Sequence, residues 1–398
     1  MSLTIKHLNS DASFLLTFQP IPCCPPCPDQ QANSFKILLD PWLSGPSKVL
    51  NSRFSIVRHK FDACVRSLNE LDEVDLVVIS QSKSDHCHKE TLTQLPRTGG
   101  KTLILAEPAA AKLIRGWNYF APEKVITLPK FEESRPCKRS AIYRIPIPSA
   151  YRDGRPGEVT IASLAQKADL TRLHSAIGIT YLPPVDEQVH EMTPPAAPSS
   201  SISHTTGDRA LSLIHAPHGI SYKTLRPYAR SHLIPQEAFP LTALLHCFHR
   251  IQNSWYLGGN ICSGLPGGIE VAQKLRAQVW ISAHDGEKDV RGLANRNLVV
   301  QRFEREEVEK EVSPRGDKFP NSSGTEAVVL GVGEEMYLVH LPGNDDEYKR
   351  SYIGCTPIHV GIGENVAAGF RKNVARAQPH NLKCYNPRNS LVQQHLLC

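Results

Sequence analysis

The sequence predicts an α+β protein with a two-layered β core and helices packed outside. Two observations lead there. Apolar runs of strand length recur along most of the chain, and helix-length segments are interleaved between them in an order that repeats. No strict short-period repeat accompanies this pattern. The chain has 398 residues, 40% of them hydrophobic, which supports one large domain or two smaller ones.

The elements follow in order. Phe14-Leu15-Leu16-Thr17-Phe18 reads as a strand, and the Cys- and Pro-rich stretch from Pro20 to Pro28 as a loop. Phe35 to Leu39 is a second strand that runs into Asp40-Pro41-Trp42-Leu43-Ser44-Gly45, where Pro, Ser and Gly stop it. Leu76 to Ile79 is the next, followed by a helix near Lys89 to Gln94. Thr102 to Ala106 reads as a strand, and Pro108 to Trp117 as a helix with proline at its start. Short strands fill the middle: Lys124 to Leu128, Val159 to Leu164, Ile177 to Leu182 and Leu211 to His215. Residues 183–209 are rich in Pro, Ser and Thr and read as a flexible insertion, because that composition cannot bury a core. Leu241 to Phe248 and Trp255 to Leu257 suggest a hairpin around Gln252-Asn253. Ile269 to Arg276 reads as a helix, and Val279 to Ser282 as a strand leading into Ala283-His284-Asp285. Apolar character returns at Val328 to Val332 and Met336 to Val339. The expected organisation is a domain over residues 1–341 and a poorly patterned tail over 342–398.

Composition excludes several function classes. Charged residues are 21%, aromatics 7%, and the net charge is +6. Lys and Arg are scattered rather than clustered, so no nucleic-acid partner is expected. No run approaches the roughly 18 apolar residues of a membrane span. The eleven cysteines are irregularly spaced, and no second cluster answers Cys23, Cys24 and Cys27 to build a zinc ribbon. No secretory start is visible, so the expectation is a reduced, intracellular and cytoplasmic protein. A small-molecule substrate or ligand is the expected partner. The oligomeric state is not fixed by the sequence.

Polar groups gather at three strand ends. Asp85-His86 follows Leu76 to Ile79 within Ser80-Gln81-Ser82-Lys83-Ser84-Asp85-His86-Cys87-His88. Gly258-Gly259-Asn260 follows Trp255 to Leu257, and His284-Asp285 follows Val279 to Ser282. Ligands delivered from the ends of different strands fix a geometry on a rigid scaffold. Imidazole nitrogen and carboxylate oxygen suit zinc and similar ions; an amide oxygen such as that of Asn260 is a weaker ligand. Each residue also has a plainer reading: a hydrogen-bonded core histidine for His86, a helix cap for Asp85, a turn for Asn260, a loop pair for His284-Asp285, an exposed cation for Lys83.

These segments resemble the metallo-β-lactamase superfamily, and most closely its branch with the ascorbate-phosphate lactonase and the N-acylphosphatidylethanolamine phospholipase. Leu38-Leu39-Asp40-Pro41-Trp42-Leu43 is similar to that family's strand followed by Asp-Pro. Ser80 to His86 stands at its H-x-H-x-D-H position, Gly258-Gly259-Asn260 at its Gly-Asp, and Ala283-His284-Asp285 at its last metal-binding histidine. The resemblance covers about residues 3–340 and implies a four-layer αββα sandwich with the site at one edge of two sheets. It implies metal ligands at Asp85, His86 and His284, with Asn260 where a bridging carboxylate belongs. Gln81 and Lys83 stand where two histidines of the other metal position belong, and the strand Val159 to Leu164 leads to no histidine.

Two positive ions need more negative charge than an Asn and a Lys leave. The expectation is therefore at most one ion, Zn or Mn, in a divergent hydrolase of esters, lactones or phosphoesters. Asp85, Lys83 and His218 are the candidate catalytic residues, with Lys83 as anion holder or base and His218 or His88 as proton carrier. The alternatives are a metal-free enzyme or small-molecule-binding pseudoenzyme on the same scaffold, and a non-catalytic interaction protein.

Overall fold

The computed structural model describes residues 1–20, 34–49, 51–132, 141–149, 154–167, 169, 171–184, 209–313 and 324–339, and the backbone of 349–353. The loop expected at Pro20 to Pro28, most of the insertion at 183–209 and most of the tail beyond 342 lie outside the described residues.

Two large sheets carry the fold. The first has eight strands in the order Lys349–Ile353, Glu335–Val339, Ser2–His7, Phe14–Gln19, Phe35–Leu39, Leu76–Ile79, Leu103–Ala106 and Val125–Thr127. The second has seven: Glu326–Val328, Val279–Ser282, Ala243–His246, Leu211–Ala216, Ser175–Leu182, Gly157–Ala165 and Tyr143–Ile147. Alternating side chains face each other between the sheets. Ile5, Phe14, Leu16, Ile37, Leu39 and Val78 of the first meet Ile161, Ile179, Leu213, Leu245 and Ile281 of the second in one buried cluster. Each such side chain contributes about 1.5–3 kcal/mol when fully buried.

The opposite faces are covered by helices. Val77, Ile79, Ile104 and Ala106 pack under Ala110, Ala111 and Ile114 of helix Pro108–Gly116. Ile214, Leu244 and Trp280 pack under residues of helices Tyr222–Tyr228, Gly264–Lys274 and Arg305–Val312. The result is the four-layer αββα sandwich. Strands such as Leu76–Ile79 and Ala243–His246 are buried on both faces, which is why they read as continuous apolar runs without alternation.

The topology aims particular strand ends at one edge. Phe35–Leu39, Leu76–Ile79 and Leu103–Ala106 run parallel. So do Leu211–Ala216, Ala243–His246 and Val279–Ser282. The C-terminal ends of each set therefore lie side by side.

Two local expectations are corrected. Trp255–Leu257 is not the second strand of a hairpin but a single 3-10 turn, closed by the Leu257 N–H donating to Ser254 O at 2.8 Å and ended by Gly258 at φ 116°. The partner of Arg250–Gln252 is instead Asn260–Ser263, so Asn260 opens a strand rather than following one. Lys349–Ile353 adds an edge strand to the first sheet, in a stretch where the sequence pattern showed none. The described fold lies within one compact unit, Met1–Cys355.

Candidate metal centre

Leu76–Ile79 ends in the Ser80–His88 turn, which folds back on itself: the N–H groups of His86 and Cys87 donate to Lys83 O at 3.0 and 2.7 Å. His88 ends that turn as a cap, its Nδ1 accepting from Thr91 N at the start of helix Lys89–Leu92.

Asp40, at the end of Phe35–Leu39, is fully buried and ties the two sheets together. One of its carboxylate oxygens accepts from Ser80 N at 2.7 Å. The other meets Ser80 Oγ at 2.5 Å, His86 Nδ1 at 2.8 Å and, from the second sheet, His215 Nε2 at 3.0 Å. Burial alone would raise its pKa, but the imidazoles of His86 and His215 outweigh that and hold the carboxyl below its ordinary range.

Four potential ligands converge beside it. Asp85, His86, His218 and His284 each offer an atom within 4.8 Å of the others. Asp85 and His86 come from the first sheet. His218 follows Leu211–Ala216, where Gly219 at φ 83° turns the chain; a Cβ there would lie 2.9 Å from His246 Nε2. His284 follows Val279–Ser282 and itself sits at φ 68°. His86 Nε2 and His218 Nε2 are 3.0 Å apart, and Asp85 Oδ2 lies 3.3 Å from His284 Nε2 and 3.9 Å from His86 Nε2. Ligand atoms about 2.0–2.1 Å from a tetrahedral ion would lie about 3.3 Å apart, so these separations fit one ion.

The outer hydrogen bonds set the imidazoles. His86 donates its Nδ1 proton to Asp40, and His218 donates its Nδ1 proton to Ile261 O at 3.1 Å. In their neutral forms both rings then turn an Nε2 lone pair toward the same point. Two lone pairs at 3.0 Å repel unless a proton or a metal ion stands between them. Burial favours the neutral form of His86, but the carboxylates of Asp85 and Asp40 prevail and raise its pKa. Burial, then the neighbouring His284 and His86, push that of His218 well down. Asp85 is held ionised well below its ordinary value: burial opposes its charge, and His86 and His284 overcome it. Asp85 and Asp40 together supply two negative charges, which balances one divalent ion.

The surroundings of His284 differ. Its backbone N–H donates to Asp11 O at 2.9 Å. Its Nδ1 faces Lys288 Nζ at 3.4 Å, and Lys288 is paired with buried Asp11 at 2.6 Å. Cys262 Sγ lies 3.5 Å from His218 Nδ1 and 3.8 Å from His284 Nδ1. Asp285 turns away and accepts from Phe248 N, His249 N and Ser282 Oγ. Burial, with Cys247 nearby, raises its pKa to about 7.

The structure thus brings Asp85, His86, His284 and His218 together and leaves Asn260 and Lys83 outside the cluster. The Asn260 side chain is exposed and donates to Ser263 Oγ at 3.3 Å, while its backbone carbonyl meets His174 Nε2 at 3.1 Å. Lys83 is half-buried, and its ammonium has no polar partner among the described residues. Gln81 donates from Nε2 to Leu173 O at 2.8 Å, and its buried Oε1 has no partner among the described residues. Sequence reasoning gave His218 as a proton carrier; the structure places it in the same cluster as Asp85, His86 and His284, and its position after a buried strand was the available signal. Sequence reasoning gave no role to His174, which meets Gly219 O and Asn260 O, or to Cys262, which meets His218 and His284; these partners come from other parts of the chain.

Comparison with known proteins gives likenesses of shape. No family model matches the chain, and no curated protein matches it. Among solved structures, Igni18, a metallo hydrolase from the hyperthermophilic archaeon Ignicoccus hospitalis, is 12% identical with a TM-score of 0.45, covering 86% of this chain and 100% of that one. CmlA β-hydroxylase is 12% identical with a TM-score of 0.45, covering 85% of this chain and 54% of its own. The metallo-β-lactamase fold protein YhfI from Bacillus subtilis is 10% identical with a TM-score of 0.40, covering 84% and 99%. Among the described residues, no helix is long and apolar enough to cross a membrane.

Proposed function

We propose that the chain is a divergent hydrolase of the metallo-β-lactamase superfamily, similar to the lactonase and phospholipase branch, with one divalent ion held by Asp85, His86, His218 and His284. The observation that carries this reading is the convergence of the His86 and His218 lone pairs beside the Asp85 carboxylate, with both rings fixed from behind. Histidine and carboxylate ligands suit Zn or Mn. Such an ion, when bound, polarises an ester, lactone or phosphoester and lowers the pKa of water.

The chain's own residues do the rest. Asp40 holds His86 in one tautomer and position, and Ile261 O does the same for His218. Asp85 is the cluster's most accessible member, its side chain 22% exposed against 0% for His86 and 6% for His284, so it is the ligand that meets a water or substrate oxygen first. Lys83, half-buried on the same turn, supplies a cation for an anionic substrate group. A cavity of about 700 Å³ lies at the same edge of the second sheet, lined by Phe131, Gln166, Lys167, Ser221 and Lys223 among others. None of the four cluster residues lines it, so it is a neighbouring groove and not the chamber of the reaction. Its lining also holds Glu132 beside Lys167 and Lys223, with Phe131, Leu164 and Pro227, which suits an amphipathic group.

The test is hydrolysis of a panel of esters, lactones and phosphoesters by protein stripped of metal and then reloaded with Zn or Mn. The proposal expects activity on at least one class that is lost on stripping, restored on reloading, and absent from Asp85→Ala. Activity that survives stripping would support the metal-free enzyme instead. Ligand-induced melting shifts without turnover, abolished by Lys83→Ala, would support the binding protein.

A further inference from the structure

A small three-stranded sheet stands apart from the two large ones, in the order Asn260–Ser263, Arg250–Gln252, Val299–Gln301. One edge strand, Asn260–Ser263, borders the candidate centre, since Cys262 touches His218 and His284. The other edge strand is open. Val299–Gln301 pairs on one side with Arg250–Gln252, and among the described residues no other backbone hydrogen bond involves 299–301. All three residues are exposed.

Apolar groups surround that edge. Val299 is 64% and Val300 47% exposed, and as successive strand residues they point to opposite faces. Trp255 is 87% and Tyr256 64% exposed, and Leu293 is 56% exposed. These are one surface. Asn253 Nδ2 donates to Ala294 O at 2.8 Å, and Asn297 Nδ2 to Ser254 Oγ at 3.4 Å, which locks the Trp255 turn to the segment leading into Val299.

The rim is cationic. Arg53, Arg250 and Arg296 make no ion pair with any described residue, and the Arg53 carbonyl accepts from Leu293 N at 3.0 Å. The nearby carboxylates are engaged: Asp289 with Arg291, and Glu287 with Lys60 and Arg302.

We propose that this surface docks an acidic, extended peptide segment of another protein, which adds a strand to Val299–Gln301 and packs an apolar side chain against Trp255. Three features select that occupant. An open strand edge presents N–H and C=O groups that another chain can pair and a lipid bilayer cannot. Trp, Tyr and Arg are the residues that dominate binding energy in protein interfaces. Arg53, Arg250 and Arg296, without an ion pair among the described residues, attract a negative partner and repel a second copy of this surface.

The experiment pans a display library of short random peptides against the full chain, then measures the selected peptides by fluorescence anisotropy. The expected winners carry net negative charge and alternate apolar with polar residues. Their binding is lost when alternate peptide nitrogens are methylated. It weakens about tenfold or more in Trp255→Ala and in Arg296→Glu, with unchanged melting temperatures because both side chains are exposed. Selection of neutral or basic peptides, or of peptides insensitive to N-methylation or to Trp255→Ala, would overturn the proposal, as would failure to select any peptide. So would burial of Trp255 by phosphatidylserine vesicles without peptide binding, or by concentration-dependent dimerisation, each read from a blue shift of the Trp255 fluorescence.

Discussion

Asp85, His86, His218 and His284 stand in turns that follow buried strands, whereas Gln81 and Lys83 share only the first of those turns and Asn260 opens the short strand Asn260–Ser263, and the two groups behave in opposite ways. The first group points inward, and two of its rings are gripped from behind by Asp40 and Ile261 O. The second group disperses: Gln81 bonds Leu173 O, Asn260 reaches Ser263, and the Lys83 ammonium has no partner among the described residues. A ligand type in the right turn is therefore not enough. What makes a centre is a second set of groups that fixes where each ligand's lone pair points.

Breaking the grip itself is expected to have the largest effect on the fold. Asp40→Ala leaves the buried His86 and His215 without their shared acceptor. A loss of about 3–5 kcal/mol in chemical denaturation is predicted, the scale of a broken buried ion pair. Removing a ligand strikes the centre more than the fold. His86→Ala and His218→Ala are each expected to weaken Zn binding by more than about a hundredfold, exceeding the effect of outer partners, as measured by competition with a chelator.

A milder change sharpens the comparison. Asp40→Asn keeps the shape and all four residues of the cluster but removes the outer carboxylate. It is expected to weaken Zn binding by about 10–100-fold, with the four-residue cluster intact by crystallography. The smallest effect is expected from the dispersed group. Gln81→Ala and Asn260→Ala should leave metal content at the wild-type level in elemental analysis; loss of metal in either would place that residue at the centre after all.

Much of this was legible in the sequence because buried strands announce themselves. Leu76–Ile79 and Val279–Ser282 are buried on both faces, and the polar residues just beyond them, Asp85-His86 and His284, stand out against that background. Asp85, His86 and His284 were singled out that way, and they lie in one cluster with His218. His218 stood after an equally clear strand, but its role depends on Ile261 O and on a 3.0 Å approach to His86, 132 residues away in sequence. The strands Arg250–Gln252, Asn260–Ser263 and Val299–Gln301 were not legible. They are three or four residues long, too short to show an alternation, and Val299–Gln301 is exposed throughout. Asn260 was misplaced for the same reason: Gly258 and Gly259 close a 3-10 turn whose apolar Trp255-Tyr256-Leu257 imitates a strand.

The most direct test is a calorimetric titration of metal-stripped protein with Zn, run in parallel on His218→Ala. One equivalent bound by the wild type, with binding lost in the variant, is the predicted result. Two equivalents, none, or undiminished binding by His218→Ala would contradict a single ion held by Asp85, His86, His218 and His284.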